Sequence, residues 1–172
     1  KSFLQSHLVI GINYDPLNVG GTLEFLNNVH EEWLTGRNVT VLGTSAGAYW
    51  ANLFGHRIGA QKIILLNPVT DPVRQLGKYI GLESKNLRRD QSFVVTVEQL
   101  TAYKTIGKVN TKGIPRLVIL SADDKLLDYR DALNMYAGAS KTTIILYSGG
   151  GHTINLRKHR AQAAIVDFIS NN

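Results

Sequence analysis

The sequence predicts an α/β fold, a three-layer sandwich in which helices cover both faces of a mostly parallel sheet. Short apolar runs at residues 39–42 and Lys62–Leu66 read as buried strands, and a segment with helical character separates them. Strand-like runs return at residues 116–120 and Thr142–Tyr147, the second rich in β-branched residues. A length of 172 residues suits one domain with a substantial core, so we expect a single domain over residues 1–172.

The other elements are predicted from local patterns. Leu23, Leu26, Val29 and Trp33 recur at three- and four-residue spacing, which gives a helix one apolar face, and Gly36 follows in the usual C-terminal position. The remaining predictions are a strand at residues 7–14 and helices at residues 22–35, 46–56, 128–137 and 156–170.

Residues 69–113 interrupt this alternation. They hold a predicted helix at residues 73–80, a β-prone run at 93–97 and a helix at 98–106. The segment is too long for a simple crossover, so we interpret it as a cap inserted over the active edge of the sheet. The alternative is a decorated crossover connection that has no role in substrate binding.

Composition narrows the classes of function. The formal net charge is +6, and basic residues gather at 85–89 and 157–160, which would suit an acidic partner or nucleic acid. No aromatic-rich nucleic-acid motif accompanies these clusters, so we interpret them as solvated surface. No apolar run approaches the roughly 20 residues of a membrane helix. The chain has no cysteine, which fits a reducing compartment such as the cytoplasm.

The stretch Gly43-Thr44-Ser45-Ala46-Gly47 lies between a predicted strand and a predicted helix. Gly-x-Ser-x-Gly in this context is the nucleophile-elbow pattern of α/β hydrolases. The serine must occupy a tight, strained turn that exposes its hydroxyl. We expect Gly43 and Gly47 to lie against the neighbouring strand and helix, where a side chain would collide. Ser45 is therefore the candidate nucleophile.

A serine hydroxyl needs a base, usually a histidine held in one tautomer by a carboxylate. His152 follows the last predicted strand, after Gly149, Gly150 and Gly151, and is the candidate base. The other histidines look like ordinary surface or core residues: His7, His30, His56 and His159.

Several carboxylates compete for the role of the third member. We choose Asp124, at the tip of the loop after the strand at residues 116–120, with Asp123 second. Asp71 is a more distant alternative, which otherwise serves as a turn residue. Asp128 is predicted to cap the following helix.

The oxyanion of an acyl-transfer intermediate needs two donors. The Ala46 backbone N–H is one candidate, because it follows the nucleophile. A second donor normally comes from the loop after an earlier strand, and the loop at residues 15–21 lacks a His-Gly pair. No metal-ligand spacing or phosphate-binding glycine motif occurs, so no cofactor is predicted.

Four stretches together resemble the YqiA-like esterases, a small single-domain branch of the α/β hydrolases. They are residues 42–51 around the elbow, Asn67-Pro68, residues 124–130, and the Gly-Gly-x-His pattern that ends at His152. The resemblance covers nearly the whole chain and implies Ser45, Asp124 and His152 as the triad.

The resemblance also implies a first strand that ends in Leu-His-Gly-Phe, whose loop supplies the second oxyanion donor. Nothing before His7 matches it, and residues 1–6 resemble the end of the helix that follows that loop. Because the sequence begins with Lys1 rather than Met, we expect the missing segment to precede Lys1.

The sequence thus predicts a serine hydrolase of the carboxylesterase or thioesterase type, with an acyl-enzyme intermediate and a small acyl ester or thioester as substrate. The alternative is an α/β-hydrolase-fold binding or scaffolding protein that lacks a complete oxyanion hole. Tyr49, Trp50 and Tyr103 are candidate substrate-binding residues, although aromatic residues at such positions more often belong to the core.

Overall fold

A computed structural model describes residues 7–86, 91–106, 109–157 and 160–171. The elements in chain order are α1 (Val19–Val29), a π-helical segment (His30–Leu34), β1 (Thr40–Thr44), α2 (Ala46–Arg57), β2 (Lys62–Leu66), α3 (Pro72–Gly77), β3 (Glu83–Asn86), β4 (Gln91–Val94), α4 (Val97–Ile106), β5 (Arg116–Ser121), α5 (Tyr129–Tyr136), β6 (Thr142–Tyr147) and α6 (Ala161–Ser170). Residues 1–6, and the parts of the two basic clusters at 87–90 and 158–159, lie outside the described residues.

The main sheet is parallel, with its four described strands in the order β1-β2-β5-β6. Thr44 of β1 pairs with Leu66 of β2, and Leu66 pairs with Ile119 of β5. The strands point in one direction, so the residues after each of them emerge at one shared edge. The predicted α/β architecture is confirmed.

Helices cover both faces of this sheet. Ile63 and Leu65 of β2 face α2 and α5, where they pack with Ala48 and Tyr136. Ile64 and Leu66 alternate with them and face α6, where Ile165 lies. Side chains of β2 point to the two faces in turn because a strand has a two-residue period, and both faces are buried, which produces the predicted three layers.

The strand predicted at residues 7–14 is wrong, because the structure assigns no strand there and leaves Leu8 73% exposed. Several helices also differ in extent, and α3 ends at Gly77 rather than residue 80. The first begins at Val19, capped by Asn18, and continues as the π-helical segment. The last begins at Ala161 rather than residue 156, because Arg160 has a left-handed backbone with φ of +55°.

The segment between β2 and β5 contains α3, an antiparallel hairpin of β3 and β4, and α4. Its α4 packs against both α3 and α1. Its α3 is joined to α5 through Asp131, which accepts from the Gln75 amide at 3.0 Å and pairs with Arg74 at 2.8 Å. Within the described residues, no helix is both long and apolar enough to cross a membrane.

Candidate active site

Ser45 lies between β1 and α2 on a strained turn. Its φ and ψ are +55° and −127°, a region that a non-glycine residue adopts only when its surroundings hold it there. Its N–H donates to the Leu66 carbonyl at 2.9 Å. Its carbonyl accepts from the amides of Ala48 at 3.0 Å and Val69 at 3.1 Å. The neighbouring strand β2 and the start of α2 therefore fix the serine backbone.

The two glycines of the elbow differ in what surrounds them. A Cβ on Gly43 would lie 2.2 Å from the Gly47 carbonyl oxygen and 2.8 Å from the Ala48 Cα, as the collision argument requires. A Cβ on Gly47 would meet only the Tyr14 hydroxyl, at an ordinary contact distance of 3.5 Å. The expected collision is wrong for Gly47, because the one group near its added Cβ is a side-chain hydroxyl at van der Waals distance and not backbone.

His152 lies in hydrogen-bond contact with two of the candidate residues. Its Nε2 is 2.9 Å from the Ser45 Oγ, and its Nδ1 is 2.9 Å from the Asp124 Oδ2. The carboxylate can only accept, so Nδ1 carries the proton and Nε2 is left free to accept from the serine hydroxyl.

The Asp124 carboxylate is held rigidly and is only 1% exposed. Its Oδ1 accepts from the amides of Leu126 at 2.8 Å and Leu127 at 3.1 Å, which leaves Oδ2 for His152. A carboxylate with both oxygens bound in this way orients an imidazole well.

The other carboxylates considered for the triad bind backbone amides and do not contact His152 in the described hydrogen bonds. Asp71 caps α3 by accepting from the Arg74 amide at 3.0 Å. The predicted cap at Asp128 is confirmed, since it accepts from the Arg130 amide at 3.0 Å and this bond lowers the pKa of the Asp128 carboxyl. Asp123 accepts from the Gly151 amide at 2.8 Å.

The other described histidines do not take the place of His152 beside Ser45. His56 lies at the far end of α2 from Ser45, where its Nε2 accepts from the Arg116 guanidinium at 2.8 Å. His30 begins the π-helical segment, and His159 lies outside the described residues.

Ala46 is the first residue of α2, so its N–H belongs to the first turn, where amides have no acceptor within the helix. The positive end of the helix dipole favours negative charge at the same point. The loop at residues 15–21 uses its polar groups locally. Asp15 accepts from the Leu17 amide at 2.9 Å and Asn18 caps α1. The structure thus gives this loop a helix-capping role.

The aromatic candidates for substrate binding belong to the core. Tyr49, Trp50 and Tyr103 are 3%, 1% and 3% exposed. The Trp50 Nε1 donates to the Tyr103 hydroxyl at 3.0 Å, and that hydroxyl donates to the Pro16 carbonyl. Burial raises the pKa of the Tyr103 phenol. Their burial favours the alternative given above, in which the three residues belong to the core.

Asn67 is a buried residue of this site that the sequence did not single out for a role. It follows β2 directly, and its side-chain amide contacts the end of β5, just before the Asp124 loop, and the loop that carries His152. The signal available in the sequence was its position: it emerges at the same edge of the sheet as Ser45, and a polar residue there is available to the site.

A parallel sheet with a serine on a strained strand-to-helix turn, followed by an aspartate and a histidine after later strands, defines the α/β-hydrolase fold. The chain belongs to the family described as Uncharacterised protein family (UPF0227), which it matches over residues 9–169. This is the YqiA-like esterase family that the sequence resembles.

Solved structures support the same fold. Alpha/beta hydrolase domain-containing protein 10 from mouse is 15% identical, with a TM-score of 0.64, over 88% of this chain and 69% of that protein. An alpha/beta superfamily hydrolase from Oenococcus oeni PSU-1 is 17% identical, with a TM-score of 0.61, over 91% and 74%. A monoacylglycerol lipase from Paleococcus ferrophilus is 13% identical, with a TM-score of 0.62, over 88% and 75%. The chain spans about two thirds to three quarters of the length of such structures.

Proposed function

We propose that the protein is a serine hydrolase that cleaves carboxylic esters or thioesters through an acyl-enzyme intermediate. The observation that carries this proposal is the continuous pair of 2.9 Å contacts from Ser45 through His152 to Asp124. The hydrolase, lipase and esterase names of the structurally similar proteins agree with it.

In the proposed reaction, His152 Nε2 accepts the Ser45 proton as Oγ attacks the acyl carbon. The carbonyl oxygen becomes an oxyanion beside the Ala46 N–H. The intermediate then collapses, the bond to the leaving group breaks, and His152 returns the proton to the departing alcohol or thiol. A water molecule, deprotonated by the same imidazole, attacks the acyl-serine; the bond between the acyl carbon and Oγ then breaks, His152 returns the proton to Oγ, and the carboxylic acid is released.

Asp124 would keep the imidazole in the reactive tautomer and stabilise the imidazolium that forms in each step. Its burial and its two backbone amide partners support this role, since they prevent the carboxylate from rotating away.

The segment of residues 69–113 would act as a cap beside this site. Its α3 is anchored at Asp131, and the Lys78 Nζ donates to the Leu126 carbonyl in the loop of Asp124 at 2.8 Å.

We also propose that the protein is cytoplasmic, because a chain without cysteine suits a reducing compartment. Fractionation of cells that express the full-length protein would test this location.

A fluorophosphonate probe, which reacts with activated serines, tests the proposed function in the full-length protein. We expect labelling of the wild type, no labelling of Ser45→Ala, and labelling slowed by roughly 10³-fold or more in His152→Ala. Ser140→Ala, which changes an exposed serine outside the site, should label like the wild type.

An unlabelled wild type, or equal labelling of Ser45→Ala, would contradict the proposal. The second arm is a panel of short and long acyl esters and thioesters. Ser45-dependent turnover on any of them excludes a protein that only binds, and the panel ranks the acyl lengths and leaving groups.

A further inference from the structure

The loop that carries His152 cannot fix its own shape. Three consecutive glycines precede the histidine, and Gly150 and Gly151 have φ values of +132° and +61°. Glycine has more backbone freedom to lose than any other residue, and it offers no side chain for packing. The position of the imidazole must therefore be set by contacts from outside the loop.

Asn67 supplies contacts on one side. Its side chain is buried, and its Nδ2 donates to the Gly151 carbonyl at 3.0 Å and to the His152 carbonyl at 2.9 Å. Its Oδ1 accepts from the Ser121 amide at 2.8 Å. One amide thus joins the ends of β2 and β5 to the histidine loop.

The backbone of Asn67 is itself held in an unusual shape. Its φ is +39°, in the left-handed region that asparagine tolerates better than most residues. Its N–H donates to the Ile119 carbonyl at 2.9 Å, which ties the residue to β5. The strained turn aims the side chain across the edge of the sheet.

Asp123 binds the other backbone group of the same glycine. Its Oδ1 accepts from the Gly151 N–H at 2.8 Å, while Asn67 binds the Gly151 carbonyl. Asp123 is adjacent to Asp124, so the loop that carries Asp124 also binds the loop that carries His152.

The chemistry of the contacts restricts which side chains can make them. Position 67 must donate twice and accept once, which an amide can do and a carboxylate or an aliphatic group cannot. Position 123 needs only one acceptor oxygen, which asparagine could also supply.

We propose that Asn67 and Asp123 are positioning residues that hold the Gly151 carbonyl and N–H, respectively, and so keep the His152 imidazole in hydrogen-bond contact with Ser45 and Asp124. The proposal rests on the proposed hydrolase function for its kinetic consequence, because a misplaced base slows proton transfer without weakening substrate binding.

The first test uses position 123, which is exposed and can be changed without opening the core. Asp123→Ala should lower kcat by about 10- to 100-fold with KM changed less than about threefold. Asp123→Asn keeps an acceptor for the Gly151 N–H and should restore kcat to near the wild-type value. Loss of activity in both variants would contradict this positioning role.

The second test uses position 67, with a matched control at the other end of the sheet. Asn52 is also a buried amide with two partners, donating to the Asn110 carbonyl and accepting from Arg116, both at 3.0 Å. Asn67→Ala and Asn52→Ala should both lower the urea midpoint of unfolding. Only Asn67→Ala should lower kcat, again by about 10- to 100-fold, when measured on folded protein.

The ¹⁵N chemical shifts of the His152 ring provide a readout that does not need turnover, because they report which ring nitrogen carries the proton. In the wild type at alkaline pH we expect the proton on Nδ1, and in Asp123→Ala and Asn67→Ala a mixture of tautomers. Asp123→Asn and Asn52→Ala should give the wild-type shifts.

The outcomes separate this inference from the proposed function. A wild type without Ser45-dependent labelling overturns the hydrolase function, while the ring shifts still decide whether the imidazole is positioned. Unchanged kcat and unchanged ring shifts in both alanine variants overturn the positioning role, even if their stability falls. A change confined to one variant overturns the role of the other residue.

Discussion

A Cβ on Gly43 would come within 2.2 Å of the Gly47 carbonyl oxygen, and this contact is with backbone that cannot rotate away. We expect Gly43→Ala to force the elbow apart and to lower the free energy of unfolding by about 1–3 kcal/mol or more. Fluorophosphonate labelling of Ser45 should fall with it, because the serine backbone is part of the same turn. Urea unfolding and the labelling rate measure the two effects.

Gly47 provides the matched comparison, since an added methyl group meets only the Tyr14 hydroxyl at 3.5 Å and the residue is already helical. Gly47→Ala should leave the free energy of unfolding unchanged or raise it by up to about 1 kcal/mol, because alanine has less backbone freedom to lose. Equal destabilisation by the two substitutions would contradict the different surroundings of these glycines.

At the same scale, the sequence predicted some residues of the site and missed others for a physical reason. Ser45 lies in a recognisable local motif, and Asp124 and His152 follow predicted strands in the chain order of the fold. Asn67 was not singled out for a role and Asp123 was considered only as a second choice for the acid, because their contacts are hydrogen bonds to residues 84 and 28 positions away. Such contacts depend on the packed sheet edge, so no local pattern announces them.

At the scale of elements, β2 and β6 match their predicted bounds, while the strand predicted at residues 7–14 does not form. The apolar runs of β2 and β6 lie within the sheet and have neighbours that accept their backbone hydrogen bonds. A β-prone pattern shows only that a segment fits a pleated surface, and strand formation needs a partner that sequence does not name.

The cap of α3 allows a prediction about an element. Asp71 accepts from the Arg74 amide at 3.0 Å, so Asp71→Ala should lower the free energy of unfolding by about 0.5–2 kcal/mol. Asp71→Asn keeps an acceptor oxygen and should lower the free energy of unfolding much less than Asp71→Ala does. Urea unfolding measures both.

The same variant separates two candidate carboxylates. Because Asp71 serves α3 and not the imidazole, Asp71→Ala should retain fluorophosphonate labelling, whereas Asp124→Ala should slow it by roughly 10³-fold. Loss of labelling in a folded Asp71→Ala protein would restore Asp71 as the acid of the triad.

At the scale of the whole molecule, the two ends of the sheet differ: one carries the candidate site, and the other holds a buried cation. The carboxyl ends of the strands carry the candidate site, while Arg116 lies fully buried at the start of β5. Its guanidinium donates to Asn52, to the Thr111 carbonyl and to His56, and it lies 5.4 Å from the centre of the Tyr136 ring. A buried cation held by neutral acceptors ties α2, the loop before β5 and α5 into one unit.

His56 makes this end of the sheet sensitive to pH. Burial lowers the pKa of His56 below its ordinary value of about 6.5, and the Arg116 guanidinium lowers it further, against a smaller opposite effect of the Asn110 backbone. The unfolded chain therefore binds the proton first as the pH falls. Stability that is fully present above about pH 6.5 is lost as the pH drops below that value toward the lower pKa of the folded protein.

We therefore expect the urea midpoint of the wild type to fall between pH 7.5 and pH 5.5 by more than that of His56→Gln, which has no imidazole to protonate beside Arg116. His30→Gln removes a histidine of the π-helical segment that is not among the hydrogen-bond partners of Arg116 given above, and it should keep the wild-type pH dependence. Among the described histidines, only His56 accepts a bond from Arg116. If the three proteins lose the same stability over this range, protonation of His56 beside the buried guanidinium is therefore not what weakens the fold in mild acid.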